Sequence, residues 1–446
     1  MLDDRTHLTV SIDSPSDETD WAALEALGVA LAETLPVRAI VTLLHAWQVR
    51  LVDRVCGPSG EPVRGLPAPF ACTRCDAAED FARKGRRNRL RRLDTTIGTV
   101  KFRLWQVRCR DCDKVFAPLL GMLGLIWKRR SDRLTVDLAE TSTQMSYGRT
   151  AQVHDRLTPA TPTAGQAHAS VADIAAMLSD LAPVDVAPRV VLLDGTGVRA
   201  GERRLGVGAH LAIGLSGRTG PLSRRRAHTD LLAVTVGEGW ETMADRLAGV
   251  AAPELVVIDG EDAITTLSQR LWPDTPVQRC WWHLPRGLVK AGYADPGRPH
   301  IPWVRSMADI LAGLPARALT EEWTRSDGDA AFAEFTDRVP ARYTALHAYL
   351  AAAAPHAMTF CDPRLQRRLA DLGGVELGTG VIERPMRELN ARTDIGGTRW
   401  SEAGLRDLLT VLTARLFRHP AWTDLTHHLR PANTIGFDLR VAQVNG

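Results

Sequence analysis

The chain has 446 residues, enough for two to four domains that each bury a core. Its 45% apolar and 24% charged residues are the proportions of an ordinary globular protein, which excludes fibrous and low-complexity classes, and a net charge of +3 points to no partner by itself. Seven cysteines, four of them in two Cys-x-x-Cys pairs, argue against a secreted disulfide framework and for metal ligation in a reducing compartment.

The N-terminus is acidic and polar, without the basic and apolar regions of a signal peptide. No run approaches the roughly 18 apolar residues needed to cross a bilayer, so a cytoplasmic location is expected. Residues 1–66 read as an N-terminal helical region. Trp21, Leu24, Leu27 and Leu31 recur at helical spacing, and Ile40, Leu43, Leu44, Trp47 and Leu51 do so after Pro36. That stripe fits a core or a subunit contact.

Over residues 67–120, Cys72 and Cys75 precede Cys109 and Cys112. Two such turns offer the four thiolates of one tetrahedral zinc site. Between them a stretch alternates from Gly98 to Val107 after a turn signal at Thr95–Gly98, and the unit reads as a zinc ribbon built on a β-hairpin. Between Arg83 and Arg130 there are fifteen Lys or Arg against three Asp or Glu. So local an excess predicts phosphate contacts, with Arg86, Arg87, Arg91 and Arg92 at its centre. Cys56 and Cys361 have no partner spacing and read as small apolar residues.

Residues 121–182 read as a helical region. Two short helices separated by Met145–Gly148 fit a helix-turn-helix whose second helix, from Arg149, enters a major groove. An ordinary helical hairpin has the same pattern.

Residues 183–295 show three strands and then alternation: strand to Asp194, strands near 209–215 and 231–236, helix 239–249, strand to Asp259, helix 262–271, strand 277–281. This is the order of an α/β, RNase H-like mixed sheet. Residues 296–375 turn helical and read as an all-α insertion, in which Trp303 and Trp323 fit the core better than a base-stacking role. Residues 376–446 carry the C-terminal helices. Three arginines at 224–226 could meet DNA or solvent.

Two apolar runs, Val190–Leu193 and Leu255–Ile258, each deliver an aspartate to a sheet edge. Glu383 opens a segment in which Glu383, Arg387 and Asn390 share a helical face. Two strand aspartates and a helix glutamate, 65 and 124 positions apart, are hard oxygen ligands suited to a pair of Mg²⁺ or Mn²⁺ ions. Arg384, Arg387 and Arg392 flank the glutamate and could hold phosphate oxygens or form helix salt bridges with Glu388 and Asp394. The helix turns Glu388 away from Glu383, towards Arg384 or Arg392. No phosphate loop is present, so no nucleotide is expected to drive the reaction.

The Asp194, Asp259, Glu383 series, the Cys280-x-x-His283 pair in QRCWWHLPRGL and the Gly-rich Arg-Trp-Ser stretch at 396–401 resemble the DDE transposases of bacterial insertion sequences, in the group related to Mutator elements. The resemblance covers residues 70 to 410. It implies a DNA transposase that binds double-stranded element ends as a homo-oligomer and catalyses metal-dependent cleavage and strand transfer, with Cys280 and His283 as auxiliary active-site residues. A transposase-derived regulator that only binds DNA, and an RNase H-like nuclease that only cuts, remain open alternatives.

Overall fold

The computed structural model describes residues 21–56, 68–178, 187–199, 206–219, 226–375, 378, 380–395 and 398–430. The architecture is mixed α/β. The chain divides into one unit of residues 1–170 with 429–446 and a second of residues 171–428.

In the first unit a single helix, α1 (Trp21–Cys56), runs through Pro36. Against the sequence expectation, residues 25–56 include an 18-residue stretch long and apolar enough to cross a membrane, with a mean hydropathy of 1.7. Its C-terminal turns are otherwise engaged. Val52, Val55 and Cys56 pack on Phe81, Val107 and Phe116, and the buried Gln48 accepts from the Trp105 N–H at 2.9 Å and donates to the Arg103 carbonyl at 3.1 Å.

Five strands follow: β1 (Phe81–Arg86), β2 (Arg91–Thr95), β3 (Gly98–Phe102), β4 (Trp105–Cys109) and β5 (Val115–Phe116). They make a β1-β4-β5 sheet and a β2-β3 hairpin, all antiparallel. The hairpin turns on Thr96 and Ile97, with Gly98 at φ +105° and the Thr95 hydroxyl donating to the Gly98 carbonyl at 2.7 Å. The alternation forecast over 98–107 is thus split between β3 and β4, which belong to different sheets. After a short α2 (Pro118–Met122) come α3 (Asp132–Ser142) and α4 (Tyr147–Leu157). Ser131 and Ser146 cap them, accepting from the N–H groups of Leu134 and Arg149 at 3.2 and 3.3 Å. The pair is joined by the Ser142 hydroxyl, which donates to Thr150 at 3.3 Å, and by His154 Nε2, 3.1 Å from the Thr141 hydroxyl. Helix α5 (Ala164–Met177) closes the segment.

The second unit is built on β6 (Val190–Val198), β7 (Val207–Thr219), β8 (Arg226–Val236), β9 (Leu255–Ile258) and β10 (Val277–Arg279), with α6 (Trp240–Leu247) after β8 and α7 (Asp262–Leu271) after β9. The sheet order is β10-β9-β6-β7-β8, parallel through β10, β9 and β6 and antiparallel through β7 and β8. A continuous apolar run such as Val190–Leu193 suits a strand with parallel and antiparallel neighbours covered on both faces. Val191, Leu193, Val256 and Ile258 pack with Met243, Leu247, Ile264 and Leu267 of α6 and α7. Each such side chain contributes about 1.5–3 kcal/mol through burial.

The forecast that Asp194 ends its strand is corrected. Strand β9 stops at Ile258, opposite Leu193, but β7 goes on pairing with β6 from Asp194 (opposite Leu211) to Val198 (opposite Val207). Asp194 therefore lies where the parallel part of the sheet ends, not where β6 ends.

Helices α8 (His283–Ala294), α9 (Ile301–Thr320), α10 (Arg325–Asp337) and α11 (Thr344–Ala357) share an apolar core, against which Trp303 and Trp323 are partly buried. The short α12 (Pro363–Arg368) precedes α13 (Gly380–Thr393), α14 (Glu402–Leu416) and α15 (Pro420–Leu429). Residues 224, 225, 396 and 397, part of two sequence motifs, lie outside the described residues.

Candidate functional site

Strand β6 brings in Asp194, 5% exposed, whose carboxylate accepts from the Gly195 N–H at 2.9 Å. Asp259 follows β9 directly and accepts from the Glu261 N–H at 2.9 Å, which tightens the turn into α7. Gly260 between them has φ +96°, a conformation that glycine takes without strain. Glu383 lies in the first turn of α13, which packs on β6. One helical face of α13 is fixed by Asn390, whose amide oxygen accepts from the Thr196 hydroxyl at 3.3 Å. Glu383 is seven residues earlier and so on that face. Its Oε1 is buried and has no hydrogen-bond partner.

The electrostatics ties these side chains together. Burial pushes the Asp194 carboxyl up to about 6; His283 pulls it down, while the like charges of Asp259 and Glu383 push it further up. A hydrogen bond with Cys280 raises His283 above the ordinary imidazole range, burial opposes it, and the charges of Asp194 and Asp259 add to the rise. Cys280 is fully buried, and its N–H donates to the Ile258 carbonyl at 2.8 Å, which holds it at the same edge of the sheet. Asp194, Asp259, Glu383, Cys280 and His283 are thus brought into one neighbourhood. The acidic trio is open: among the described residues, the group whose ligand atoms all lie within 4.8 Å of one another is the cysteine cluster, not the carboxylates.

Of the residues flanking Glu383, Arg392 needs correction. Arg392 is 1% exposed and stacks 4.8 Å from the Trp400 ring, so it is a buried packing residue of α13 and not a surface contact for phosphate. Glu388 pairs with Arg415 of α14 at 3.7 Å, a partner that helix periodicity could not reveal. Arg387 is exposed, and the side chain of Arg384 lies outside the described residues. Sequence reasoning missed His210, which stacks on Trp240 at 4.2 Å and feels the charge of Asp259. Its partner across the strands is Gly195, where a Cβ would come within 2.9 Å of the imidazole. The two glycines after Asp194 were the available signal.

In the first unit, Cys72, Cys75, Cys109 and Cys112 form a cluster that could hold one metal ion. The Cys72 and Cys112 sulfurs are 3.5 Å apart, and those of Cys75 and Cys109 are 3.6 Å apart. Burial raises the Cys72 thiol, but the N–H groups of Cys75 and Arg74 and the neighbouring thiols outweigh it and bring it down to about 7. Cys75 moves the other way: the Ala77 N–H lowers it, but its hydrogen bonds with the neighbouring thiols outweigh that and push it up to about 12. Burial raises Cys109, so without an ion the cluster favours one thiolate, that of Cys72.

The arginine-rich segment borders a cavity of about 700 Å³ lined by Arg87, Arg89, Arg91, Arg92, Arg129 and Arg130. The second strip of this wall is set in register by a parallel bridge between Asp94 and Arg130, with the Asp94 N–H donating to the Arg129 carbonyl at 2.9 Å. Arg87 and Arg89 are exposed, and so are Arg86, which stacks on Trp105 at 4.7 Å, and Arg149 in the first turn of α4. Arg92 is exposed and paired with Asp94 at 3.0 Å. Arg91 is corrected: its guanidinium donates to the carbonyls of Leu125 and Lys128, so it fastens a loop before it can serve a ligand. No protein-family model matches the chain, and no curated protein matches it.

Proposed function

We propose that the chain is a DNA transposase of an insertion sequence, with an RNase H-like catalytic core, a zinc ribbon and metal-dependent DNA cleavage and strand transfer. The observation that carries this reading is the acidic cluster: Asp194 and Asp259 leave adjacent parallel strands, and Glu383 comes from the helix packed on β6. The strand order, antiparallel through β6, β7 and β8 and parallel from β6 to β10, supports an RNase H-like core.

The side chains suit divalent cations. An orphaned carboxylate oxygen on Glu383, and an Asp194 carboxyl raised to about 6 by burial beside like charges, describe a site that lacks positive charge. Asp194, Asp259 and Glu383 would hold Mg²⁺ or Mn²⁺, which when bound activate a water or 3′-hydroxyl and stabilise the leaving 3′-oxygen. His283, drawn towards its charged form first by its hydrogen bond with Cys280 and further by Asp194 and Asp259, offers a proton donor or a hydrogen bond to a phosphate oxygen at the same edge. In a tetrahedral zinc site with Zn–S of about 2.3 Å, sulfurs lie about 3.8 Å apart. The 3.5 and 3.6 Å separations of the paired cysteines suit that ion. The arginine wall of the first unit fits the backbone of double-stranded DNA.

The test uses the DNA flanking the reading frame as substrate for the full chain. Cleavage at a fixed point followed by joining of the freed 3′-end to a second DNA, in Mg²⁺ or Mn²⁺, is the expected result. Cleavage without joining would leave a nuclease, and binding without cleavage a regulator.

A further inference from the structure

Arg279 plays no part in the proposed chemistry so far, yet it lies beside the acidic cluster. It ends β10 in register with Ile258, level with the turn that carries Asp259. The residue is 8% exposed. Its guanidinium lies across Gly260, where a Cβ would come within 1.1 Å of Nη1 and 1.3 Å of Cζ. Only a glycine at that point lets the arginine rest on the backbone next to Asp259.

The cation is poorly matched by the protein itself. Nη2 donates to the Tyr349 hydroxyl at 3.4 Å, and the Tyr349 ring lies 5.5 Å from Cζ. Nε is buried with no acceptor, and among the described residues no carboxylate stands within ion-pair distance of Arg279. A buried guanidinium cannot shed its charge, and leaving it without a counter-ion is costly. Tyr349 is held in turn, its hydroxyl donating to the Leu284 carbonyl at 2.9 Å, so α8 and α11 of the helical region fix the fork from behind.

We propose that Arg279 is a phosphate-binding residue of the acidic site, taking a non-bridging oxygen of a DNA phosphodiester laid over the Asp259 turn, with Tyr349 as its positioning partner. This rests on the phosphoryl-transfer reading above and goes beyond it, because it assigns the missing anion to the substrate and gives the helical region a role in orienting it.

The experiment compares the full-length wild type with Arg279→Met and Arg279→Lys on the flanking DNA. One set of substrates carries a single neutral methylphosphonate at successive positions around the cleaved bond. Arg279→Met is expected to cut about a hundredfold more slowly. Its Mn²⁺ affinity without DNA, and its DNA affinity in chelator, should stay within about threefold of wild type, since most phosphate contacts lie elsewhere. At one position the methylphosphonate should slow the wild type by a similar factor and leave Arg279→Met no slower, because both changes remove the same interaction. Arg279→Lys keeps the charge but loses the fork, so it should recover part of the rate; should the Met variant not fold, the same pairing with methylphosphonate is read on the Lys variant. The proposal is overturned if Arg279→Met binds Mn²⁺ weakly, which would make it a support for Asp259, or if every methylphosphonate slows mutant and wild type alike. Wild-type cleavage that survives Asp194→Asn would instead remove the phosphoryl-transfer reading, and a wild type that cuts none of its flanking DNA removes both.

Discussion

Asp194 is the buried carboxylate on which the proposed chemistry leans most. Burial first, with Asp259 and Glu383 adding, lifts its carboxyl to about 6 from the ordinary value of 3.8. The raised pKa means that the fold prefers the neutral acid. Its contribution to stability is complete below pH 3.8 and is lost as pH rises through about 6. A rise of that size corresponds to about 3 kcal/mol. In chelator, the melting temperature of the wild type should therefore fall between pH 4 and 7 relative to that of Asp194→Asn. Mn²⁺ should recover the difference at pH 7, and superimposable pH profiles of the two proteins would show that Asp194 is not strained by its burial. Glu388 allows a second comparison. Its pair with Arg415 is partly exposed, so Glu388→Gln should cost no more than about 1 kcal/mol and little cleavage, whereas Glu383→Gln should be inactive. The opposite pattern in a cleavage assay would move the third ligand to residue 388.

At the scale of elements, the paired cysteines belong with the β1-β4-β5 sheet, whose small core of Phe81, Val107 and Phe116 is shared with Val52, Val55 and Cys56 of α1, while the basic β2-β3 hairpin packs in a separate cluster with Leu104 and Leu119. With so little apolar packing around the cysteines, the proposed reading makes this sheet depend on an ion at the cluster. Cys72→Ser should lose the bound zinc, open the segment from Ala68 to Phe116 to protease and weaken DNA binding. Purified protein handled without chelators that contains no zinc would contradict the assignment. Helices α3 and α4 are expected to respond to pH through His154. Burial holds His154 below the ordinary imidazole range, so its contribution is present above about pH 6.5 and is lost as pH falls through its lowered value. Hydrogen exchange in α4 should therefore speed up at pH 5 relative to pH 7 in the wild type, and by less in His154→Gln. Equal changes in both would show that the helix pair does not depend on that ring. Local patterns disclose much of this level, since the turn at Thr95–Gly98 and the periods of the strands and helices are carried by neighbours in sequence. What they could not disclose was set by distant partners. Asp194 reads as a strand end because the apolar run Val190–Leu193 stops there and Gly195 follows, yet β7 carries β6 four residues further. Arg392 reads as a surface cation until Trp400 folds over it. Arg279 is inconspicuous in sequence because its meaning comes from Gly260 and Tyr349, on other elements.

Over the whole molecule, charge is the property by which the proposed function would divide the labour. The net +3 conceals a local excess of twelve positive charges between Arg83 and Arg130, while the sheet-bearing unit gathers carboxylates. Binding and chemistry should then separate by mutation. Replacing Arg87, Arg89 and Arg129 with Ala should flatten the dependence of log affinity on log salt by roughly 0.9 for each phosphate that is no longer neutralised, and an unchanged slope would place the DNA surface elsewhere. The acidic residues should do the reverse. The most direct measurement is therefore metal-dependent cleavage and strand joining on the flanking DNA, made side by side with affinity, for Asp194→Asn, Asp259→Asn and Glu383→Gln. The account predicts that all three lose both reactions while binding DNA within a few-fold of wild type; near-normal cleavage by any one of them would contradict it.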